Sequence, residues 1–256
     1  MADAAYATYP SLAGRSVFVS GGASGIGEAI VRAFAAQRAK VGFVDIMEEE
    51  GRRLADELGE EGGEIRFVRA DVTDIGALQR AIAKIAEALG PITVLVNNAA
   101  NDTRHDWRDE TPESFDARIA VNLKHYFFAI QAVAPGMIAA GSGSIVNFGS
   151  ISWLVGSPDL PIYMTAKAAT HGLTRSFGRE LGKHRIRVNT VLPGWVMTKR
   201  QLDLWVNEAA ERLLDERQCL PDRLKPDDLA RMVLFLASDD SGMCTAQHFI
   251  VDGGWA

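Results

Sequence analysis

Cysteine is scarce in this chain: Cys219 and Cys244 are the only two in 256 residues. Two thiols make neither a disulfide scaffold nor a zinc site, so a reducing, cytoplasmic setting is expected. Long apolar runs are missing too. Nothing approaches the roughly 18 apolar residues of a spanning helix, so no membrane is expected as a partner. The opening Met1-Ala2-Asp3-Ala4-Ala5-Tyr6 carries an acid and no basic or apolar region, unlike a secretory leader. Positive charge is in deficit, with 27 Lys+Arg against 33 Asp+Glu and a net charge of −6. Nucleic-acid binding is driven by neutralising phosphates, so that class of partner is not expected. The isolated clusters Lys183-His184-Arg185 and Lys199-Arg200 read as solvated or structural charge. The five histidines (105, 125, 171, 184, 248) form no ligand-spaced set, so no metal is expected. Linkers, low-complexity tracts and fixed-period repeats are also absent.

What is present is alternation. Short β-branched or aromatic runs recur at Val17-Phe18-Val19, Val41–Val44, Ile65–Val68, Ile92–Val96, Ile145–Phe148, Ile186–Val191 and Phe249–Val251. Between them lie helical patterns such as Glu28–Gln37, Ile75–Leu89 and Leu229–Ala237. Near-continuous apolar strands alternating with helices predict a doubly wound α/β fold with a seven-stranded parallel sheet covered on both faces. The length suits one domain over 1–256, with a mostly helical stretch from about Thr198 to Pro226. Gly90-Pro91 should stop the third helix, and Thr111-Pro112-Glu113 reads as an N-cap, a first-position proline and a first-turn acid.

The first strand runs into Ser20-Gly21-Gly22-Ala23-Ser24-Gly25-Ile26-Gly27, followed at once by a helical pattern. Glycines let the backbone approach a pyrophosphate, and the helix N-terminus offers unpaired N–H groups and partial positive charge. The spacing Gly21-x3-Gly25-x-Gly27 differs from GxGxxG; its strand-to-helix position is what points to dinucleotide binding. The contacts expected there are Gly21, Ser24, Gly25, Ile26 and Gly27. Asp45 ends the second strand with no adjacent Lys or Arg. An acid there accepts from the adenosine ribose and repels a 2′-phosphate, which favours NAD over NADP. Asp71-Val72, after the third strand, can hold the adenine, although a strand-end Asp is also a common cap.

Tyr163 and Lys167 stand at i and i+4 on one helical face. Tyrosine is a poor base at neutral pH, and lowering its pKa by about three units takes roughly 4 kcal/mol. A nearby ammonium and a cationic nicotinamide ring could supply that. Ser150 ends the fifth strand 13 residues earlier, on the side of such a sheet where ligands bind.

With these pieces the chain resembles the short-chain dehydrogenase/reductase family, from Leu12 to Gly254. The motifs that carry the resemblance are the glycine loop, Asp71-Val72, Asn97-Asn98-Ala99, Asn122, Ser150, Tyr163-x3-Lys167 and Pro193-Gly194-x3-Thr198. The resemblance implies a Rossmann fold. It also implies Tyr163 as general acid/base, Lys167 lowering its pKa and holding the nicotinamide ribose, and Ser150 on the reacting oxygen. Asn122 would anchor a water relay behind Lys167. Asn98 and Ala99 would wall the cofactor, and Pro193, Gly194, Val196 and Thr198 would line its nicotinamide side. Ala100 departs from the usual Gly and puts the following loop's geometry in question. Family members commonly form tetramers through the helices bearing Asn122 and Tyr163. His125-Tyr126-Phe127-Phe128 and Leu173–Phe177 suit that surface, being more apolar than one sheet face requires.

Asn101–His105, Asn147–Trp153, Thr198–Gln201 and Cys244–Trp255 further resemble the bacterial NAD-dependent aldose 1-dehydrogenases. These oxidise the anomeric hydroxyl to a lactone. The implied substrate is a small neutral sugar, with Asn101, Ser150, Ser152, Trp153, Tyr163 and Trp195 as contacts. Trp153 and Trp195 equally suit core or interface packing, and Arg104 and His105 offer sugar contacts but better suit exposed loop charge. A ketone or 3-oxoacyl reductase would instead show apolar walls here, and a non-catalytic nucleotide-binding regulator would have lost Tyr163, Lys167 or Ser150.

Overall fold

The computed structural model describes residues 7–256; the opening Met1 to Tyr6, read above for the lack of a leader, lies outside the described residues. Seven strands form one parallel sheet: β1 (Ser16–Ser20), β2 (Lys40–Asp45), β3 (Ile65–Arg69), β4 (Val94–Asn97), β5 (Gly143–Phe148), β6 (Ile186–Pro193) and β7 (His248–Val251). Their order is β3-β2-β1-β4-β5-β6-β7, so the winding reverses between β1 and β4. Ligands of such sheets bind outside the carboxyl ends of the strands at that point. All residues of β1, β4 and β5 are buried, which explains why their sequences show no alternation.

Two apolar layers cover the faces. On one, α1 (Gly25–Ala36), α2 (Glu48–Glu60) and α10 (Pro226–Ala237) pack Phe34, Leu54 and Leu234 onto Val17, Val41 and Val146. On the other, α3 (Ile75–Leu89), α5 (His125–Ala140) and the C-terminal half of α7 (Pro161–Leu181) close over Phe18, Leu95 and Val188. Between β4 and α5 lie α4 (Pro112–Ile119) and one π turn, Ala120–Lys124. The short α6 (Ser152–Val155) follows β5, and α8 (Lys199–Leu204) and α9 (Glu208–Arg217) occupy the stretch between β6 and α10.

Local chemistry sets the helix ends. Asp74 caps α3 by accepting from Ala77 N, and Gly90 ends it at φ +89°. Thr111 caps α4 with Pro112 in its first turn, and Ser114 bonds back to the Thr111 N–H. The fourth strand starts two residues later than its sequence suggests, at Val94. Ile92 and Thr93 are its approach, tied down by Thr93 N–H donating to Ser16 O at 2.9 Å.

Candidate active site

The glycine loop is shaped by close approach. A side chain at Gly27 would lie 1.7 Å from Gly21 O, and one at Gly21, at φ +68°, would lie 2.8 Å from Ala99 Cα. Asn98 holds the loop from β4, donating Nδ2–H to Ser20 O (3.1 Å) and Gly21 O (2.9 Å). Ser20 Oγ accepts from the N–H groups of Asn98 and Ala99. Ser24 is the N-cap of α1, yet its hydroxyl caps nothing, so the first-turn N–H groups keep their capacity for an anion. Thr198 faces Gly25, where an added Cβ would stand 3.2 Å from its methyl. This cradle fits the pyrophosphate of a dinucleotide.

Asp45 ends β2 with both oxygens engaged: Oδ2 accepts from Ala23 N–H (3.0 Å) and Oδ1 from Met47 N–H (3.1 Å). It thereby fixes the glycine loop and carries negative charge at the end of β2. Arg69 is its register partner on β3, and the nearest carboxylate to Arg69 is Glu48 at 3.6 Å. That cation beside Asp45 is invisible to a search along the sequence. Asp71 Oδ1 accepts from the backbone and hydroxyl of Thr73, the local-turn alternative, and Val72 is buried beside it.

The catalytic candidates come from three elements. Ser150 follows β5, and its Oγ accepts from Ser152 N–H at 3.1 Å, which aims it. Tyr163 and Lys167 rise from the first turns of α7. Lys167 is buried, and its Nζ donates to Tyr126 Oη and to Phe148 O, both at 2.9 Å, while lying 5.6 Å from the Tyr163 ring centroid. Burial lowers the Lys167 pKa to about 7, partly offset by Asp102. For Tyr163, burial and the Asp102 charge both raise the pKa, while a hydrogen bond with Ser150 lowers it. In this chain by itself, then, the phenol is the resting form.

Two supports were not legible from spacing. Tyr126 is buried and gives Lys167 its hydroxyl partner, while donating to Phe148 O at 3.0 Å. His125 is buried against Ala99 O and Val121 O, each 3.1 Å from Nε2, and burial drops its pKa to about 3, so it stays neutral. These two residues therefore do not belong to the apolar outer surface suggested by their sequence. Phe127 and Phe128 do remain on it, with Leu123, Ala169 and Leu173 around a cleft of about 370 Å³.

Asn122 is buried in the π turn, and its amide is committed to the loop after β4. Oδ1 accepts from Asn101 N–H (2.9 Å), and Nδ2 donates to Asn101 O and Arg118 O (both 3.0 Å). Ala100 is exposed with an ordinary negative φ, so its methyl fits, and the pinned Asn101 keeps the loop in place. Asn101 Oδ1 accepts from the backbone and hydroxyl of Thr103. His105 bridges this loop to α7, its Nδ1 facing Thr103 O and its Nε2 accepting from Ile162 N–H, so it is more than exposed charge.

Over the site the same loop meets α8. Gln201 donates to Asp102 Oδ2 (2.6 Å) and accepts from Trp195 Nε1 (2.9 Å), and Arg200 Nε donates to Asp102 Oδ1 (3.3 Å). Arg104 stacks 4.1 Å above the Trp205 ring and 5.7 Å above Trp195. Pro193 O accepts from Ile151 N–H, Gly194 packs against Asp252, and Val196 is buried, so the segment after β6 is firmly seated. Three buried polar atoms nearby on the chain have no protein partner: Ser152 Oγ, Trp153 Nε1 and Trp205 Nε1. A cleft of about 330 Å³ opens beside Arg104, Trp195 and Trp205; neither it nor the outer cleft includes Ser150, Tyr163 or Lys167. Among the described residues no helix is long and apolar enough to cross a membrane, and no group of three potential ligands could hold a metal ion.

A family model described as enoyl-(acyl carrier protein) reductase matches residues 21–256. The chain is 47% identical over 247 residues to a Rhizobium meliloti protein named "probable galactose dehydrogenase", covering 96% of both chains. It is 46% identical over 249 residues to a D-xylose 1-dehydrogenase of Caulobacter vibrioides, covering 97% of this chain and 98% of that one. Among solved structures, a blue fluorescent protein from a metagenomic library in complex with NADPH superimposes with a TM-score of 0.88 at 32% identity, covering 96% and 99%.

Proposed function

The chain belongs to the short-chain dehydrogenase/reductase family, and from that premise we propose that it is an aldose 1-dehydrogenase that uses NAD and yields the sugar lactone. The observation that carries the reading is near-full-length similarity to two sugar dehydrogenases, in a chain whose site mouth is polar and aromatic. A neutral polyol needs several hydrogen-bond partners and an aromatic face. Gln201 and Asp102 suit the first need, and Trp195 suits the second.

The glycine loop with Asp45, Asn98, Ala99, Gly194 and Thr198 would hold the dinucleotide, and when bound its nicotinamide supplies the hydride acceptor. Tyr163 Oη takes the proton of the anomeric hydroxyl while Ser150 Oγ holds that oxygen. Lys167, with its pKa near neutrality, is the adjacent group that stabilises the phenolate and can exchange its proton. Asn122 positions Asn101 and hence the loop over the substrate. Asp45 favours NAD, since its charge opposes a 2′-phosphate. Two free cysteines suit a reducing compartment, and we place the enzyme in the cytoplasm. The outer cleft between α5 and α7 is the face we assign to a homotetramer.

The reading is tested with free aldoses and NAD⁺, following absorbance at 340 nm. D-galactose, D-xylose or an epimer should give NADH, while activity confined to ketones or acyl thioesters would overturn it.

A further inference from the structure

Asp102 stands where a catalytic argument alone would not put it. Its negative charge reaches both Tyr163 and Lys167, and at Tyr163 it favours the inactive phenol. A charge that opposes the base of the reaction must serve another purpose there. Its side chain is 27% exposed, so a ligand can reach it. Each oxygen has one protein donor, Arg200 Nε on Oδ1 and Gln201 Nε2 on Oδ2. A carboxylate offers about four acceptor positions, which leaves about two. The facing charges are Arg200 from α8, Arg104 from the same loop and Lys167 from α7; Arg104 also feels Asp159. Trp195 fixes the Gln201 amide by donating to its Oε1, so acid and amide are presented together as acceptor and donor.

Building on the aldose reading above, we infer that Asp102 is a specificity-determining residue: its carboxylate accepts hydrogen bonds from the hydroxyls of a neutral sugar and rejects sugars that carry a carboxylate. Charge-assisted hydrogen bonds to the carboxylate hold the polyol, whereas a uronate brings like charge to the same place. The net −6 of the chain works in the same direction at longer range.

The test measures kcat/KM with NAD⁺ for each accepted aldose and for the uronate bearing a carboxylate at C6, D-galactose against D-galacturonate or D-xylose against D-glucuronate. Three full-length proteins are compared: the natural chain, Asp102→Asn and Arg200→Gln. Asp102→Asn should raise the aldose KM and narrow the preference for aldose over uronate about tenfold or more, with NADH affinity held within about twofold. Arg200→Gln removes a neighbouring cation and should widen the preference about threefold. If Asp102 merely latched the loop to α8, the two variants would move the preference the same way, and that outcome overturns the inference. An unchanged preference in Asp102→Asn overturns it too, and if that variant fails to fold, an unchanged preference in Arg200→Gln does so. A natural chain that oxidises no aldose overturns the parent reading and this inference together, whereas aldose oxidation with the variants silent overturns this inference alone.

Discussion

Tyr163, the base of the proposed reaction, lies in surroundings that keep its proton on: burial and Asp102 both raise its pKa. Because the phenolate is the productive form for oxidation, its population grows about tenfold per pH unit below the pKa. The kcat/KM of aldose oxidation should therefore climb from about pH 6 to about pH 9, and the reverse reduction should fall; a flat profile would remove Tyr163 from the role. Tyr163→Phe should abolish turnover while retaining NADH affinity by fluorescence titration. Lys167 depends on Tyr126 for one of its two protein acceptors. Tyr126→Phe keeps the ring and removes that partner, costing about 1–3 kcal/mol for a buried charged group. Turnover should drop about tenfold and the pH profile should shift, with little change in NADH affinity. The Tyr-x3-Lys spacing was readable from sequence. Tyr126 was not, because the side chain that reaches Lys167 comes from another helix, 41 residues earlier, and its own neighbours look like an apolar surface.

At the scale of elements, β2 and the glycine loop form one unit. Asp45 stands 18 residues after Gly27, the spacing on which the ribose role is proposed for it; its bond to the Ala23 N–H shows only in three dimensions. Asp45→Asn keeps an acceptor for that bond and removes the charge. The ratio of kcat/KM for NADP⁺ over NAD⁺ should rise about tenfold, and Arg69 on the next strand would then be available to the phosphate. A ratio that does not move contradicts the charge argument. The apolar periodicity of α3 was readable to both its ends, Ile75 and Leu89, whereas α1 and α10 each begin three residues before the periodic stretch read for them, at Gly25 and Pro226. The charged α2, with Glu48, Glu49 and Glu50 in its first turn, gives a weaker signal because only Gly51, Leu54 and Leu58 are buried. The π turn at Asn122 has no sequence signature, and it is what lets that amide reach the Asn101 backbone.

For the whole molecule, the seven-stranded parallel sheet followed from alternation, because both faces are covered and the strands read as apolar runs, whereas the order β3-β2-β1-β4-β5-β6-β7 shows only in three dimensions. The polar mouth did not, because Asp102, Trp195, Gln201 and Trp205 lie on segments separated by nearly a hundred residues. Phe127 is 43% exposed on α5 and packs on Phe177 of α7 at 5.4 Å, in the apolar face proposed above as the oligomer interface. Phe127→Glu should convert a tetramer to smaller species by light scattering; a natural chain that is already monomeric would refute that assignment. The central claim, oxidation of a neutral aldose by this site, is tested most directly by initial rates of NADH formation from D-galactose and D-xylose. The natural chain should turn over at least one of them and Tyr163→Phe neither, whereas a natural chain inert to every free aldose would contradict the account.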